Sequence, residues 1–230
     1  MKRKNVMAYA AAMALLFAAS WGMEHKNDIL TVFGEDEPAR TLVIDAGHGG
    51  FDGGAQSADG TTEQHINLCI ACEVQSLCGL FGEQTVLTRS SEDALDYSAG
   101  RTIHENKVAD IKARQRIAEE TPNGVFLSIH LNKFEQPQYY GAQTFYSRNH
   151  ADSEPIAEAI QDALIAGINN GNTRKSKPAP ETVYLMKQLD CPALIVECGF
   201  LSNPEEAASL KEAEYQKRLA LCIVCGYLSA

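Results

Sequence analysis

Two histidines and two glutamates dominate what this sequence could do chemically. His48 sits in a glycine-rich loop, AGHGGFDGG, and His130 closes an apolar run, VFLSIH. Glu63 stands in the first turn of a helical segment, and Glu197 interrupts ALIVECGF, a stretch otherwise suited to a buried strand. An unpaired carboxylate in such a setting is costly, so buried ones are paired, protonated or bound to metal. Two His and one carboxylate make a standard ligand set for catalytic zinc, with a fourth position left for water. Zinc brings the pKa of such a water to about 7, and a second carboxylate can take its proton during attack on a carbonyl. Hydrolysis of an amide needs nothing more elaborate.

Each residue also has a duller reading. His48 could fill a turn, although Gly47, Gly49, Gly50 and Gly53 free the backbone around it for close approach. His130 alone would be a satisfied core histidine, and Glu63 alone a favourable charge at a helix N-terminus. Their coincidence at one edge of a fold is what favours chemistry. His25, His65, His104 and His150 are left over. His65 is the nearest competitor, but two residues along a helix its side chain points ~200° away from that of Glu63. Arg89, Arg114 and Arg116 could meet substrate carboxylates, with solvated strand-end or helix positions the commoner role. There is no GxSxG, SxxK or phosphate loop, and Ser128 and Cys198 lack the partner pattern of a nucleophile.

The elements that must position these residues follow in order. Thr41–Asp45 is a short buried strand that runs into the glycine loop. Thr61 with Gln64 reads as the capping box of an almost wholly apolar helix, INLCIACEVQSLCGLF. A second strand covers Thr85–Arg89, and an amphipathic helix runs from about Glu105 to Glu120, stopping at Pro122-Asn123-Gly124. Val125–His130 and Gly141–Ser147 are further strands, and Ser153 with Pro155 starts another helix. After the basic loop NTRKSKPAPE come TVYLM, the strand ALIVE, and NPEEAASL. There Asn203 caps, Pro204 takes the first helical position and Glu206 closes the box. The last helix starts near Glu214. Strands alternating with helices make one α/β domain with a largely parallel, twisted central sheet flanked by helices. Open sheets of this kind build sites at the carboxyl ends of their strands, which is where His48, His130, Glu197 and the helix bearing Glu63 converge.

The chain has 230 residues and a net charge of −10, with 45% hydrophobic residues. That suffices for one domain with a proper core, and the acidic balance argues against a nucleic-acid partner. Lys2, Arg3 and Lys4 precede an uncharged run from Val6 to Met23, the pattern of an export signal, so residues 1–23 read as a signal peptide or signal-anchor. Residues 24–40 are a polar linker, and 41–230 form the catalytic domain. The protein is expected outside the cytoplasm, tethered to the membrane or secreted to the wall. Seven cysteines give no disulfide framework: Cys69, Cys72 and Cys78 fall on one helix, and Cys222 and Cys225 on another. An i, i+3 pair in a regular helix is poorly placed for a bridge, so small buried hydrophobes are the favoured reading.

IDAGHGGFDGGA, the glutamate of TEQHINL, SIHLN and PALIVECGFLSNPEE resemble, in order and spacing, the zinc-dependent N-acetylmuramoyl-L-alanine amidases, from Thr41 to the C-terminus. The resemblance implies the phosphorylase/hydrolase-like fold of those amidases, Zn2+ held by His48, Glu63 and His130, and Glu197 as catalytic acid/base. The implied substrate is peptidoglycan, cut at the amide between muramic acid and the first L-Ala of the stem peptide. Asp45 and Asn132 lie in the same motifs and are either outer partners that orient ligands or structural parts of the turn. GAQTFY, IQDAL, NTRKSK and VYLM resemble the germination-type amidases of spore formers, which act on cortex together with a polysaccharide deacetylase to make muramic lactam. Ala46 and Lys133 depart from the family pattern, and neither is a ligand position. With no wall-binding domain, targeting falls to the N-terminal segment or to a membrane-anchored accessory protein. The competing readings are a zinc carboxypeptidase on a similar scaffold, disfavoured by the lack of an HxxE pair, and an inactive wall-binding regulator.

Overall fold

The computed structural model describes residues 39–230. Residues 1–23, expected to direct export, and nearly all of the expected linker lie outside the described residues. Among the described residues, no helix is long and apolar enough to cross a membrane.

Six strands form one mixed sheet in the order β2-β1-β3-β6-β4-β5. β1 (Thr41–Ala46), β2 (Gln84–Leu87), β3 (Gly124–Asn132) and β6 (Ala193–Phe200) run parallel. β4 (Gln143–Tyr146) runs against β6 and carries the short β5 (Lys177–Pro178) on its outer side. Strands covered on both faces become continuously apolar, and period-two alternation sorts their side chains. Leu42, Ile44, Leu127, Ile129, Leu194 and Val196 face the larger core. There they meet α1 (Glu63–Leu80), α3 (Ser153–Ile168) and α6 (Ala213–Leu228). Val43, Phe126, Ala193 and Ile195 face a smaller cluster with Ala118 of α2 (Ile103–Glu120) and Met186 of α4 (Tyr184–Gln188). All seven cysteines are free thiols, with Cys78, Cys198 and Cys222 buried.

Helix ends depart from the sequence expectation in instructive ways. α1 begins at Glu63 with Thr62 as N-cap and no side-chain cap. Thr61 is drawn instead into a turn, its hydroxyl donating to Asp59 Oδ1 at 2.9 Å. The Glu63 and Gln64 amides go to the carbonyls of Ala55 (2.8 Å) and Gly53 (3.2 Å). The glycine loop thus folds back over the helix and supplies the acceptors that a capping box would have supplied. α2 starts two residues earlier than expected because Thr102 and Glu105 form the reciprocal box. Before α5 (Pro204–Leu210), Asn203 caps as expected, accepting from the Glu205 and Glu206 amides at 3.0 and 3.1 Å. Glu206 does not close a box: its carboxylate accepts from the amides of Gly141 and Phe200, each at 2.8 Å, and ties β4 to the end of β6. TVYLM turns into the short α4 after Pro180.

Candidate metal centre

β1 ends at Ala46, and the loop beyond it is bound to β3 by a hydrogen bond from Gly47 N to Ile129 O at 3.0 Å. A Cβ at Gly47 would collide with the ring of His130, so only glycine lets the loop pass there. His48 has φ 63°, in the left-handed region that non-glycine residues enter at a cost. Arg114 holds it by donating from Nη2 to the His48 carbonyl. The side chain then meets that of Glu63, with His48 Nε2 to Glu63 Oε2 at 3.3 Å. From β3, His130 Nδ1 reaches Glu63 Oε1 at 2.9 Å. One ligand atom from each of His48, Glu63 and His130 lies within 4.8 Å of the others.

Glu63 is fixed by more than the imidazoles. Its oxygens accept from the amides of Ala55 (2.8 Å) and Leu131 (2.9 Å) and from Asn67 Nδ2 (3.3 Å). Burial opposes its charge, but His130 and His48 outweigh burial and hold the carboxyl far below its ordinary range. Burial likewise opposes charge on His48; the carboxylates of Asp52 and Glu63 overcome it and lift the imidazole to about 9. A buried carboxylate that demands cations on both sides, with two imidazole nitrogens converging on it, is a donor set that fits zinc.

Glu197 is the Cα partner of His130 across β3 and β6. Its Oε2 is buried without a hydrogen-bond partner in the described residues. Burial pushes its carboxyl up to about 7, with His130 pulling it down and Glu63 pushing it further up. A cavity of about 290 Å³ borders His48 and His130 on this face of the sheet, walled by Ile111 of α2 and by Val183 and Met186 at α4.

Several sequence readings need correction. Arg89 and Arg114 are not solvated; both are buried, with their guanidiniums bonded inside the protein. Arg89 is buried and donates to the carbonyls of Ala46 (2.9 Å), Gly47 (3.0 Å) and Gln64 (2.8 Å). Arg114 is buried against Asp45 and Asp110 and also binds the Ala46 carbonyl at 2.8 Å. Strand-end carbonyls that no neighbouring strand satisfies need donors, and the two guanidiniums supply them. Only Arg116 is exposed, as a solvated helix residue is. Asp45 has no hydrogen bond to the side chains of His48, Glu63 or His130; it accepts from Thr88 (2.7 Å), Ser128 (2.6 Å) and Arg114, the residue that also holds the His48 carbonyl. Asn132 spends its side chain on the Lys133 amide at 2.8 Å. His65 points away from the cluster and pairs with Glu92 at 2.6 Å.

The residue that the sequence reading missed is Asp52. Its Oδ2 meets His48 Nδ1 at 3.1 Å, and its Oδ1 is held by Lys107 of α2 at 3.0 Å. The available signal was its place in the quoted loop, four residues after His48.

Residues 42–227 match the family described as N-acetylmuramoyl-L-alanine amidase. The chain is 33% identical over 189 residues to the germination-specific N-acetylmuramoyl-L-alanine amidase of Bacillus subtilis (strain 168), covering 82% of this chain and 78% of that protein. It is similar in structure to the CwlD amidase from Clostridioides difficile, solved in complex with the GerS lipoprotein. That likeness has a TM-score of 0.79 at 38% identity and covers 83% of this chain and 98% of the other. The amidase AmiC2 of Nostoc punctiforme superposes with a TM-score of 0.69 at 28% identity, covering 83% of this chain and 96% of that one.

Proposed function

The chain belongs to the N-acetylmuramoyl-L-alanine amidase family, and from that premise we propose that it cuts the amide between N-acetylmuramic acid and the L-alanine of the stem peptide with zinc at His48, Glu63 and His130. The observation that carries this reading is the buried Glu197 Oε2, without a partner among the described residues, beside three converging ligand atoms. Zinc held there supplies the Lewis acidity that polarises the amide carbonyl and acidifies a water. Glu197 takes the proton from the attacking water and returns it to the departing nitrogen of L-alanine. Burial raises this carboxyl above its ordinary range and so favours its taking up the proton, while a cation bound beside it would pull the other way and favour its release. His130 and Glu63 are fixed by strand pairing and backbone amides, so the proton acceptor and the ligand set stay at constant separation. Asp52 holds the His48 ring so that Nε2 faces the cluster.

The spore cortex is the proposed wall, in step with a deacetylase in forming muramic lactam. The likeness to a germination-specific amidase and the stretches GAQTFY and NTRKSK support it. The setting is extracytoplasmic, reached through the N-terminal apolar run. The complex of the Clostridioides difficile amidase with a lipoprotein supports an accessory partner of that kind here.

The test is a digest of purified peptidoglycan by the zinc-loaded protein. New L-alanine amino groups should appear without new reducing sugar ends. Release of free D-alanine in their place would make the protein a carboxypeptidase and overturn the assignment.

A further inference from the structure

The basic loop after α3 is not used by the chemistry above, yet it ends beside the catalytic edge. His130 of β3, Glu197 of β6 and Gln143 of β4 are successive register partners across three strands. Their side chains share the face of the sheet that carries Phe126, Ile195 and Phe145. Gln143 in turn accepts from Arg174 Nη1 at 3.0 Å through its side-chain oxygen. Imidazole, carboxylate, amide and guanidinium thus stand in one row.

Arg174 is built into place. Its Nε donates to the Tyr140 carbonyl at 2.8 Å, and its guanidinium lies 4.7 Å over the ring of Phe200. The loop beneath it is anchored by the buried Asn172, which accepts from the Arg174 amide at 3.0 Å and donates to the Ala142 carbonyl at 2.8 Å. A carbonyl, an amide oxygen and an aromatic face leave the charge itself unneutralised. Glu206 is near enough to feel that charge, but its two oxygens are taken by backbone amides. Among the described residues, the half-buried guanidinium therefore keeps Nη2 and its positive charge for an outside acceptor, in a chain whose net charge is −10.

We propose that Arg174, aligned by Gln143 and Phe200, is the receptor for a carboxylate of the stem peptide one residue beyond the scissile amide. This rests on the amidase reading. Neighbouring strands are ~4.8 Å apart, which puts the guanidinium one to two spacings, ~5–10 Å, from the Glu197 carboxyl. An extended peptide advances ~3.4 Å per residue. An acidic second stem residue with a free α-carboxylate would hold it at about that reach. Arginine suits the task because its planar fork can offer paired donors to a carboxylate.

The experiment compares two synthetic muramyl-L-alanyl peptides that differ only in an α-carboxylate or an α-carboxamide at the second residue. The full zinc-loaded chain should favour the carboxylate by about tenfold or more in kcat/KM, the effect of one charge-assisted hydrogen bond. Arg174→Gln should level the two to within about twofold, chiefly through KM, and Arg174→Lys should keep part of the preference. Affinities measured on the Glu197→Gln protein should show the same ordering without turnover. Equal handling of both peptides by the unaltered protein overturns the proposal, as does a preference that survives Arg174→Gln. The comparison on the unaltered protein stands even if that variant folds poorly. Cleavage of whole peptidoglycan without preference between the peptides removes this inference alone; failure on peptidoglycan as well removes the amidase reading with it.

Discussion

His130 and Glu197 stand opposite each other on β3 and β6, and both side chains leave the sheet on the face above Phe126 and Ile195. One contacts Glu63 directly at 2.9 Å, while the other has a buried oxygen with no partner among the described residues. Adjacent positions in one register therefore have different environments, and under the proposed function that difference separates a ligand from a proton carrier.

Glu197→Gln keeps the shape of the side chain and removes its basicity. Zinc content and affinity should stay within about threefold of the unaltered protein, while kcat should fall by roughly 10²–10⁴, the usual contribution of a general base. Zinc titration beside a hydrolysis assay reads both. Metal loss in that variant would move Glu197 into the ligand set.

Asp52 fixes the ring of His48 through Nδ1, and Lys107 fixes Asp52. Asp52→Ala should weaken zinc by about 10–100-fold, the usual cost of losing a partner behind a ligand histidine. Asp52→Asn still offers an oxygen to Nδ1–H and should recover most of that affinity. Zinc competition with a chelator measures both; an Asp52→Ala protein with unchanged affinity would show that the glycine loop alone orients His48.

Arg114 carries stability rather than chemistry. It pairs with Asp45 and Asp110 in the interior and ties down the carbonyls of Ala46 and His48. Arg114→Leu leaves Asp45 charged and buried, where burial opposes the charge and Arg114, with Ser128 and Thr88, now holds the carboxyl below its ordinary range. Breaking one side of such a pair costs about 3–5 kcal/mol. Urea unfolding should show that loss, and a change under 1 kcal/mol would contradict the role.

The difference between these residues marks what a sequence can reveal. His48, Glu63, His130 and Glu197 were legible because each breaks a local rule: an imidazole among glycines, a carboxylate inside a strand, polar groups where apolar runs end. The strand and helix order followed from the same periodicities. Arg89 and Arg114 were not legible, since an arginine on an amphipathic helix or at a strand end looks solvated until the loop folds over it. Asp52 needed Lys107, 55 positions away, to show its direction. Capping at Glu63 failed because its competing acceptors, Gly53 and Ala55, come from a loop whose path only the tertiary fold defines.

The metal cluster should also couple stability to pH. In the metal-free chain His48 is raised from 6.5 to about 9, so the folded state holds a proton that the unfolded state has released. That stabilisation is whole below about 6.5 and disappears as pH rises through 9. Glu197, raised from 4.5 to about 7, acts in the same sense over the lower window. Glu63 and Asp52, both held low, act oppositely, and their contribution is lost only in acid. The metal-free protein should therefore lose stability from about pH 5 to pH 9. Zinc needs the neutral imidazole of His48, so its binding releases that proton and tightens across the same range. At fixed zinc the gain in Tm over a chelator-treated sample should widen steadily from pH 6 to pH 9. A gain independent of pH would mean that His48 carries no proton to displace, and that Asp52 and Glu63 do not hold it as the geometry requires.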